Sequence, residues 1–151
     1  MAFQLPDPST PFGERVAHRL REDHVIWFTT VDAKGTPQPN PVWFLWEEAT
    51  STVLMYSQPV AKRLAHIQQN PRVSLNFEGD EYGDDIIIII GEARVSPDAP
   101  PADEIPALVE KYRAAIARIY GASDEMEMAK QFASSYSVAI RIYPEKIRGF
   151  L

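Results

Sequence analysis

The sequence predicts a mainly β, α+β fold: a six-stranded antiparallel barrel with flanking helices. Three observations carry this prediction. Six segments are rich in β-branched and aromatic residues, turn residues separate them, and only a few stretches keep the spacing of an amphipathic helix. A chain of 151 residues with 45% apolar and 24% charged residues also fits a single domain over 1–151.

The N-terminal part of the chain predicts an arm over residues 1–9 and a helix directly after it. Two prolines keep the arm from forming regular structure. Thr10 supplies a hydroxyl that can cap the helix, and Pro11 suits the first helical position because its missing N–H costs nothing there. An apolar stripe follows at every fourth position of an otherwise charged stretch: Phe12, Val16 and Leu20.

Six strands are predicted from runs of β-branched and aromatic residues: 24–31, 38–46, 52–57, 72–78, a strand that opens with 86–90, and 137–143. A glycine-containing turn over 32–35 joins the first two strands, and the first three are expected to form an antiparallel meander. The isoleucine run 86–90 is apolar on both faces of its strand, so we expect both faces to be covered.

Helices are predicted between the strands. A second helix covers about 59–69, and an Asn-Pro pair stops it. Residues 102–135 form a helical insertion before the last strand. Within the insertion, apolar residues at helical spacing predict a third helix over 105–120, and Ser123 with 126–132 indicates a short fourth helix.

Composition excludes several classes of function. Fifteen Lys and Arg against 21 Asp and Glu give a net charge of −6, which argues against sequence-independent nucleic-acid binding. The absence of cysteine excludes disulfides, thiolate nucleophiles and cysteine-built metal centres, and the three histidines lack the spacing of a metal site. No apolar run is long enough to span a bilayer, and the N-terminus lacks the pattern of a signal peptide. We therefore expect a cytoplasmic protein without a membrane partner.

The second predicted strand is unusual because it carries three prolines. Pro37, Pro39 and Pro41 fall on one face, and Gln38 and Asn40 fall on the other. Since proline cannot donate to a ladder, this stretch is either a protected rim of the barrel or a place where the backbone meets a planar ligand. The residues alone favour the rim.

The start of the second helix has the chemistry of an anion site. Ser57 precedes the helix, and Lys62 and Arg63 lie in its first turns. A helix N-terminus has unpartnered N–H groups and a partial positive charge, which together bind anions. The alternative is a capping serine with two solvated cations. His66 lies one turn after Lys62 and could border the same site.

Two stretches carry a resemblance to a known family: TTVDAKGTPQPNPVWFLWE and LMYSQPVAKRLAHIQQNPRVSLNF. In this order and spacing they resemble the flavin/deazaflavin oxidoreductase superfamily, the split β-barrel group that includes pyridoxamine 5′-phosphate oxidase. The F420-dependent branch is the more similar one, and the ending IRIYPEKIRGF resembles the family's last strand. The resemblance implies a split barrel and a homodimer with two cofactor sites at the subunit interface.

The resemblance also implies which residues bind the cofactor. The ring would be lined by the second strand: Gln38, Asn40, Pro41, Val42 and Trp43. The phosphate would be held after the third strand and by the second helix: Ser57, Ala61, Lys62 and Arg63. Three further sets are less specific candidates. Residues of the partner subunit that close the site could be Tyr82, Arg148 and Phe150, and an apolar surface for the acceptor could come from Trp27, Trp43 or Trp46. The anionic tail of F420 could be bound by four arginines: Arg15, Arg19, Arg21 and Arg72.

The implied activity is hydride transfer from reduced F420 to a conjugated small-molecule acceptor such as an enone or a quinone. The cofactor would carry the chemistry, and we assign no catalytic residue. Two alternatives stay open. One is an FMN-dependent oxidoreductase on the same fold, and the other is a non-catalytic protein that binds a flavin, a deazaflavin or haem.

Overall fold

The structure is a computed structural model that describes residues 3–121 and 124–151. In chain order its elements are α1 Pro11–Glu22, β1 Ile26–Val31, β2 Pro37–Val42, β3 Leu45–Glu47, β4 Thr52–Ser57, α2 Lys62–Gln69, β5 Arg72–Asn76, β6 Ile86–Val95, a 3-10 turn Ala102–Glu104, α3 Pro106–Tyr120, α4 Glu125–Ser135 and β7 Val138–Phe150. The fourth predicted helix is present, although Ser123, which was expected to precede it, lies outside the described residues.

All the strands form one antiparallel sheet in the order β2-β1-β5-β6-β7-β4-β3. The sheet curls into a half-barrel with helices on its flanks, so the mainly β, α+β fold with a split barrel is confirmed. The strand count is seven rather than six, because the strand predicted over 38–46 is divided into β2 and β3. These two strands are consecutive in the chain but lie at opposite ends of the sheet.

The strands β2 and β3 are separated where the backbone contacts the buried hydroxyl of Tyr112, a residue far away in the sequence. This hydroxyl accepts a hydrogen bond from the Phe44 amide at 2.8 Å, and it lies 2.9 Å from the Phe44 carbonyl oxygen and 2.6 Å from the His24 carbonyl oxygen. The backbone at Phe44 is therefore satisfied by a side chain instead of a neighbouring strand. We call residues 43–44 the crossing. Both antiparallel pairings of the predicted meander are present, since β2 pairs with β1 and β3 pairs with β4, but the middle strand is divided, so the three segments do not lie side by side.

The first helix begins as predicted. The Thr10 hydroxyl accepts a hydrogen bond from the Gly13 amide at 3.0 Å, and Pro11 occupies the first helical position. The described part of the arm, residues 3–9, contains no helix or strand, yet it lies tightly against α1. A Cβ built on Gly13 would lie only 1.8 Å from the carbonyl oxygen of Asp7. Glycine is thus required where the arm passes over the first turn.

The isoleucine-rich strand β6 buries one face completely. Ile87 and Ile89 are 0% and 1% exposed, whereas Ile86, Ile88 and Ile90 remain partly exposed. The prediction that both faces are covered was therefore wrong for a single copy of the chain. β6 pairs along its whole length with β7, which extends well past the predicted end at residue 143.

The helices α3 and α4 form a second core against the sheet. Tyr112 of α3 and Phe132 of α4 pack with Leu54 and Tyr56 of β4, apart from the main core inside the barrel. The helix α2 begins at Lys62 instead of residue 59, because the preceding residues form a turn in which the Ala61 amide donates to the Gln58 carbonyl at 3.2 Å.

Candidate functional site

Two neighbouring clefts lie beside β2 and the start of α2. The polar cleft, about 350 Å³, is lined by Asp32, Gln38, Asn40, Ala61, Lys62, Arg63 and His66. The aromatic cleft, about 340 Å³, is lined by Val25, Pro41, Val42, Trp43, Tyr56, Arg63, Ile119, Tyr120, Phe132 and Tyr136. Arg63 lines both clefts. A single ligand with an anionic group and a flat ring could therefore occupy both.

The first turn of α2 brings two cations and uncapped amides to the polar cleft. Ala61 is the N-cap residue, and no side chain caps the helix there. Lys62 is exposed, and Arg63 is partly buried, which lowers the pKa of its guanidinium. In the described part of the chain, no carboxylate lies within ion-pair distance of either residue. The positive charge at this helix N-terminus is thus available to an anion.

The opposite wall of the polar cleft is preorganised by Asp32. One carboxylate oxygen accepts the amides of Lys34 and Thr36, each at 2.9 Å, and the other accepts the Gln38 side-chain amide at 3.0 Å. These hydrogen bonds, led by the one from Thr36, lower the pKa of the Asp32 carboxyl. Both oxygens of the Asp32 carboxylate are therefore hydrogen-bonded within this turn and to Gln38, whose side chain they hold in place.

His66 is oriented by a buried hydroxyl. Its Nδ1 lies 2.8 Å from Oγ1 of Thr30, which is 1% exposed. Hydrogen bonding at Nδ1 fixes the direction of the imidazole ring, as it does in many binding sites. His66 lines the polar cleft together with Lys62 and Arg63, as the sequence suggested it could.

The aromatic cleft has a stacked floor. Trp43 lies between Tyr112, with ring centroids 4.5 Å apart and planes at 10°, and Phe132, at 5.4 Å and 24°. Phe132 in turn stacks on Tyr136 at 4.9 Å. Among the described residues that line this cleft, Arg63 is the only charged one. Its shape and polarity suit a planar conjugated ring rather than a cation.

The hydroxyl of Tyr56 is not free inside the aromatic cleft. It donates a hydrogen bond to the carbonyl oxygen of Pro100. Burial raises the pKa of this phenol to about 12. Tyr56 is therefore a wall of the cleft and a poor proton donor.

The structure brings together eight of the nine predicted cofactor-binding residues. Those in the polar cleft are Gln38, Asn40, Ala61, Lys62 and Arg63. Those in the aromatic cleft are Pro41, Val42, Trp43 and again Arg63. Ser57 lines neither cleft, because α2 begins too late for it to act as a cap. It is 1% exposed at the end of β4, and its Oγ donates to the Gln58 carbonyl at 3.1 Å.

The arginines considered for a cofactor tail are already occupied. Arg15 binds Asp85 through two hydrogen bonds of 2.9 and 2.6 Å. The other three also have acid partners, with Arg19 on Asp23, Arg21 on Glu22 and Arg72 on Glu145. None of the four lines the polar or the aromatic cleft. These four arginines therefore do not form a basic groove that leads out of either cleft.

The remaining candidates lie elsewhere or open to solvent. Trp27 lies on the outer surface of the sheet and Trp46 lies beside α1, so only Trp43 reaches the aromatic cleft. Tyr82 and Phe150 are 80% and 55% exposed, and neither contributes to a cleft in a single copy of the chain.

Sequence reasoning missed the far wall of the aromatic cleft. Ile119 and Tyr120 come from the end of α3, and Phe132 and Tyr136 come from α4 and its C-cap. Phe132 and Tyr136 are four positions apart and therefore share a helical face, which indicates that both pack against another part of the chain but does not show which part. Only the packing of the insertion identifies Trp43 at the crossing and the strand β4 as their partners.

The described residues contain neither a metal-binding cluster nor a helix that could cross a membrane. No group of three or more histidine, aspartate or glutamate side chains there could hold a metal ion. No helix in residues 3–121 and 124–151 is long and apolar enough to cross a membrane.

The sequence profile of the pyridoxamine 5′-phosphate oxidase family matches residues 12–150. The chain belongs to this family. The match confirms the resemblance to the superfamily and covers the barrel, both clefts and the helical segment. Comparison with curated proteins finds no match.

Solved structures with the same fold have different printed functions. An F420 reductase superimposes with a TM-score of 0.61 at 20% identity, covering 87% of this chain and 94% of its own. HutZ, the haem storage protein of Vibrio cholerae, superimposes with a TM-score of 0.60 at 15% identity, covering 93% of this chain and 95% of its own. An FAD-binding protein from Mesorhizobium loti superimposes with a TM-score of 0.54 at 17% identity, covering 89% of this chain and 88% of its own. At these identities the similarity shows the shared fold alone.

Proposed function

We propose that this protein binds a phosphate-bearing ring cofactor, deazaflavin F420 in the first instance, and uses it as an oxidoreductase. The reduced cofactor supplies a hydride to a conjugated small-molecule acceptor such as an enone or a quinone. An F420 reductase and an FAD-binding protein share the fold, which is consistent with this cofactor class.

One observation carries the proposal: Arg63 lies between the two clefts without an acid partner in the described chain. A partly buried guanidinium loses hydration, so an unpaired one is costly unless a ligand supplies the anion. Lys62 and the uncapped amides of α2 add donors at the same place. A phosphate bound here leaves the aromatic cleft open to the ring attached to it.

The edge of β2 suits the rim of a planar heterocycle. Its prolines at 37, 39 and 41 lack N–H groups, and the strand is the terminal one of the sheet, so no further strand covers it. The side-chain amide of Gln38, fixed by Asp32, and that of Asn40 offer both donors and acceptors beside this edge.

The residues of the chain orient the reactants and exclude water. The stacked floor under Trp43 fixes the plane of a ring bound in the aromatic cleft, which favours the close parallel approach that hydride transfer requires. Because the Tyr56 hydroxyl is engaged and has a raised pKa, it does not supply the proton that an acceptor takes up. In our proposal that proton comes from solvent at the open mouth, where Val25 and Ile119 are 46% and 61% exposed.

The proposal includes a homodimer in the cytoplasm, with the cofactor sites at the subunit interface as the resemblance implies. The partly exposed isoleucines of β6 support it, since Ile86 and Ile88 line an open apolar groove with Trp27. Ile88→Glu should therefore shift the molecular mass measured by light scattering from two copies towards one. A monomeric wild-type protein would contradict the dimer and with it the placement of the cofactor sites at the subunit interface, whereas cofactor binding itself is tested by titration.

FMN is the second candidate, and one observation favours it. F420 has an anionic tail that FMN lacks, and the four arginines expected to guide that tail are all paired with acids. FMN needs only the ring and phosphate sites. A haem-binding role has less support, because no histidine is among the described residues that line the aromatic cleft.

The deciding experiment is a fluorescence titration of the purified protein with F420, FMN and FAD. Each charge-assisted hydrogen bond contributes about 1.5–3 kcal/mol, so changing Lys62 and Arg63 to Ala together should weaken binding at least about 100-fold. The matched control, Lys34→Ala with Lys130→Ala, removes the same charge from exposed positions outside both clefts and should leave the affinity unchanged.

The outcomes separate the candidates. Tight FMN binding without F420 binding would select the second candidate, and equal affinity of the double variant and the wild type would refute the phosphate site. Turnover of reduced F420 with a panel of enones and quinones then distinguishes an enzyme from a carrier.

A further inference from the structure

A third cavity lies between α1, β3 and α3, away from the two clefts. Its volume is about 440 Å³, larger than that of either cleft. Leu20, Leu45 and Trp46 give it an apolar interior, and Lys111 of α3 lines its wall. Neither the function proposed above nor the family resemblance gives this cavity a role.

The amine of Lys111 has an unusual set of neighbours. Its Nζ donates a hydrogen bond to the Phe44 carbonyl oxygen at 3.0 Å and lies 3.7 Å from the centre of the Phe44 ring. No carboxylate in the described chain lies within ion-pair distance of it. The amine thus lies against the Phe44 carbonyl and ring, with the centre of the Tyr112 ring 5.4 Å away, and its side chain lines the cavity.

The charges around Lys111 are mixed. The ionisable groups that line the cavity with it are Arg21, Glu22, His24, Glu48 and Glu110. Burial lowers the pKa of the Lys111 amine to about 8, and Glu22 with the nearby Asp23 opposes this shift only in part. A substantial fraction of the amine is therefore neutral near physiological pH, unlike that of an exposed lysine.

We propose that this cavity is a reactive-amine site in which Lys111 condenses with a small apolar aldehyde. The neutral nitrogen attacks the carbonyl carbon to form a carbinolamine, which loses one water to give an imine. The nitrogen gives up both of its protons overall, and they leave with the carbonyl oxygen in that water. No oxidant or reductant is consumed. The cavity has room for an aldehyde the size of benzaldehyde, whose ring would contact Leu45 and Trp46.

The experiment traps the imine in the full-length protein. Protein at pH 7.5 is treated with a small excess of benzaldehyde and cyanoborohydride, and the alkylated lysines are identified by peptide mass spectrometry. The exposed Lys34 and Lys130 serve as internal references. At this pH an amine with a pKa of about 8 has roughly 200 times more neutral form than an ordinary lysine, so we expect at least about tenfold faster labelling of Lys111.

The dependence on pH distinguishes this site from simple accessibility. Labelling of Lys111 should rise between pH 6.5 and about 8.5 and then level off, whereas labelling of the references should keep rising. Lys111→Arg retains a donor for Phe44 but is not nucleophilic, so it should lose the fast phase while remaining folded by circular dichroism. Labelling of Lys111 no faster than that of Lys34 and Lys130 would overturn the proposal, and so would fast labelling of lysine side chains that persists in Lys111→Arg, with the N-terminal peptide scored separately because its α-amine has an ordinary pKa of about 8.

Discussion

Replacing Tyr112 by Phe isolates one hydroxyl that holds the crossing between the two ends of the sheet. The variant keeps the ring and its stacking on Trp43, but removes the acceptor of the Phe44 amide and the donor to the carbonyl of Phe44 or His24. Tyr112 is only 1% exposed, so water does not replace the hydroxyl. The change therefore leaves a buried N–H without a partner.

The size of the effect follows from which groups lose their partners. The Phe44 carbonyl retains the Lys111 amine at 3.0 Å, so it stays satisfied. The Phe44 amide does not, and an unsatisfied buried polar group costs about 1–3 kcal/mol, to which loss of the part-buried contact with the His24 carbonyl adds a smaller amount. We expect Tyr112→Phe to lower the free energy of unfolding by about 2–4 kcal/mol, or the melting temperature by roughly 5–10 °C for a domain of this size.

The assay is urea unfolding followed by tryptophan fluorescence and circular dichroism at pH 7. Tyr143→Phe is the matched control, because that ring is 41% exposed and only its contact with Arg94 is affected. It should change the free energy of unfolding by less than about 0.5 kcal/mol. If Tyr112→Phe is no more destabilising than this control, the hydroxyl does not hold the crossing and our explanation of the split between β2 and β3 is wrong.

Three further predictions rest on separate contacts. Gly13→Ala should destabilise the protein by about 1–3 kcal/mol in thermal unfolding, although Ala favours helices, because its Cβ would collide with the Asp7 carbonyl. Asp85→Asn should cost about 1 kcal/mol at pH 7 in urea titrations and progressively less as the pH falls below the ordinary pKa of an aspartate. The hydrogen bond from Arg15 lowers the pKa of the Asp85 carboxyl in the folded protein. The ion pair therefore stabilises the fold above the pKa that Asp85 has in the unfolded chain, and this stabilisation is lost as the pH falls through the lower pKa of the folded state. The free energy of unfolding of the wild-type protein should rise between pH 8 and 9.5. In this range the Lys111 amine, whose pKa is lowered to about 8, is deprotonated in the folded state but still protonated in the unfolded chain. Lys111→Met should abolish this rise in the same urea titrations.

Signals that act within a few residues were read correctly from the sequence. Thr10 and Pro11 define the start of α1, and residues 52–57 form a strand with the predicted limits. The three prolines of β2 indicated an edge, and β2 is the terminal strand of the sheet. In each case the cause lies in the covalent chemistry of the residues themselves: a hydroxyl, a β-branched side chain or a missing N–H.

Features that depend on distant partners were not predicted. The chain leaves the ladder at Phe44 because of a hydroxyl that comes 68 positions later, and the local sequence PNPVWFLW continues the pattern of a strand. The start of α2 is similar, since Pro59 suits a first helical turn but the segment up to Ala61 forms a separate turn. For the same reason Ser57 was assigned to the site although it is buried at the end of β4.

The candidate site shows the same division, and the crossing connects its parts. The cations at the start of α2 were predictable because a helix N-terminus attracts anions whatever packs around it. The aromatic wall was not, because Trp43 acquires its partners only when the insertion folds onto the sheet. Tyr112 contacts Trp43 on one side, while the adjacent Lys111 holds Phe44 from the third cavity. A ligand that displaced Lys111 from the Phe44 carbonyl would therefore act on the residue next to the floor of the aromatic cleft, so the dipeptide 43–44 connects the third cavity to that cleft.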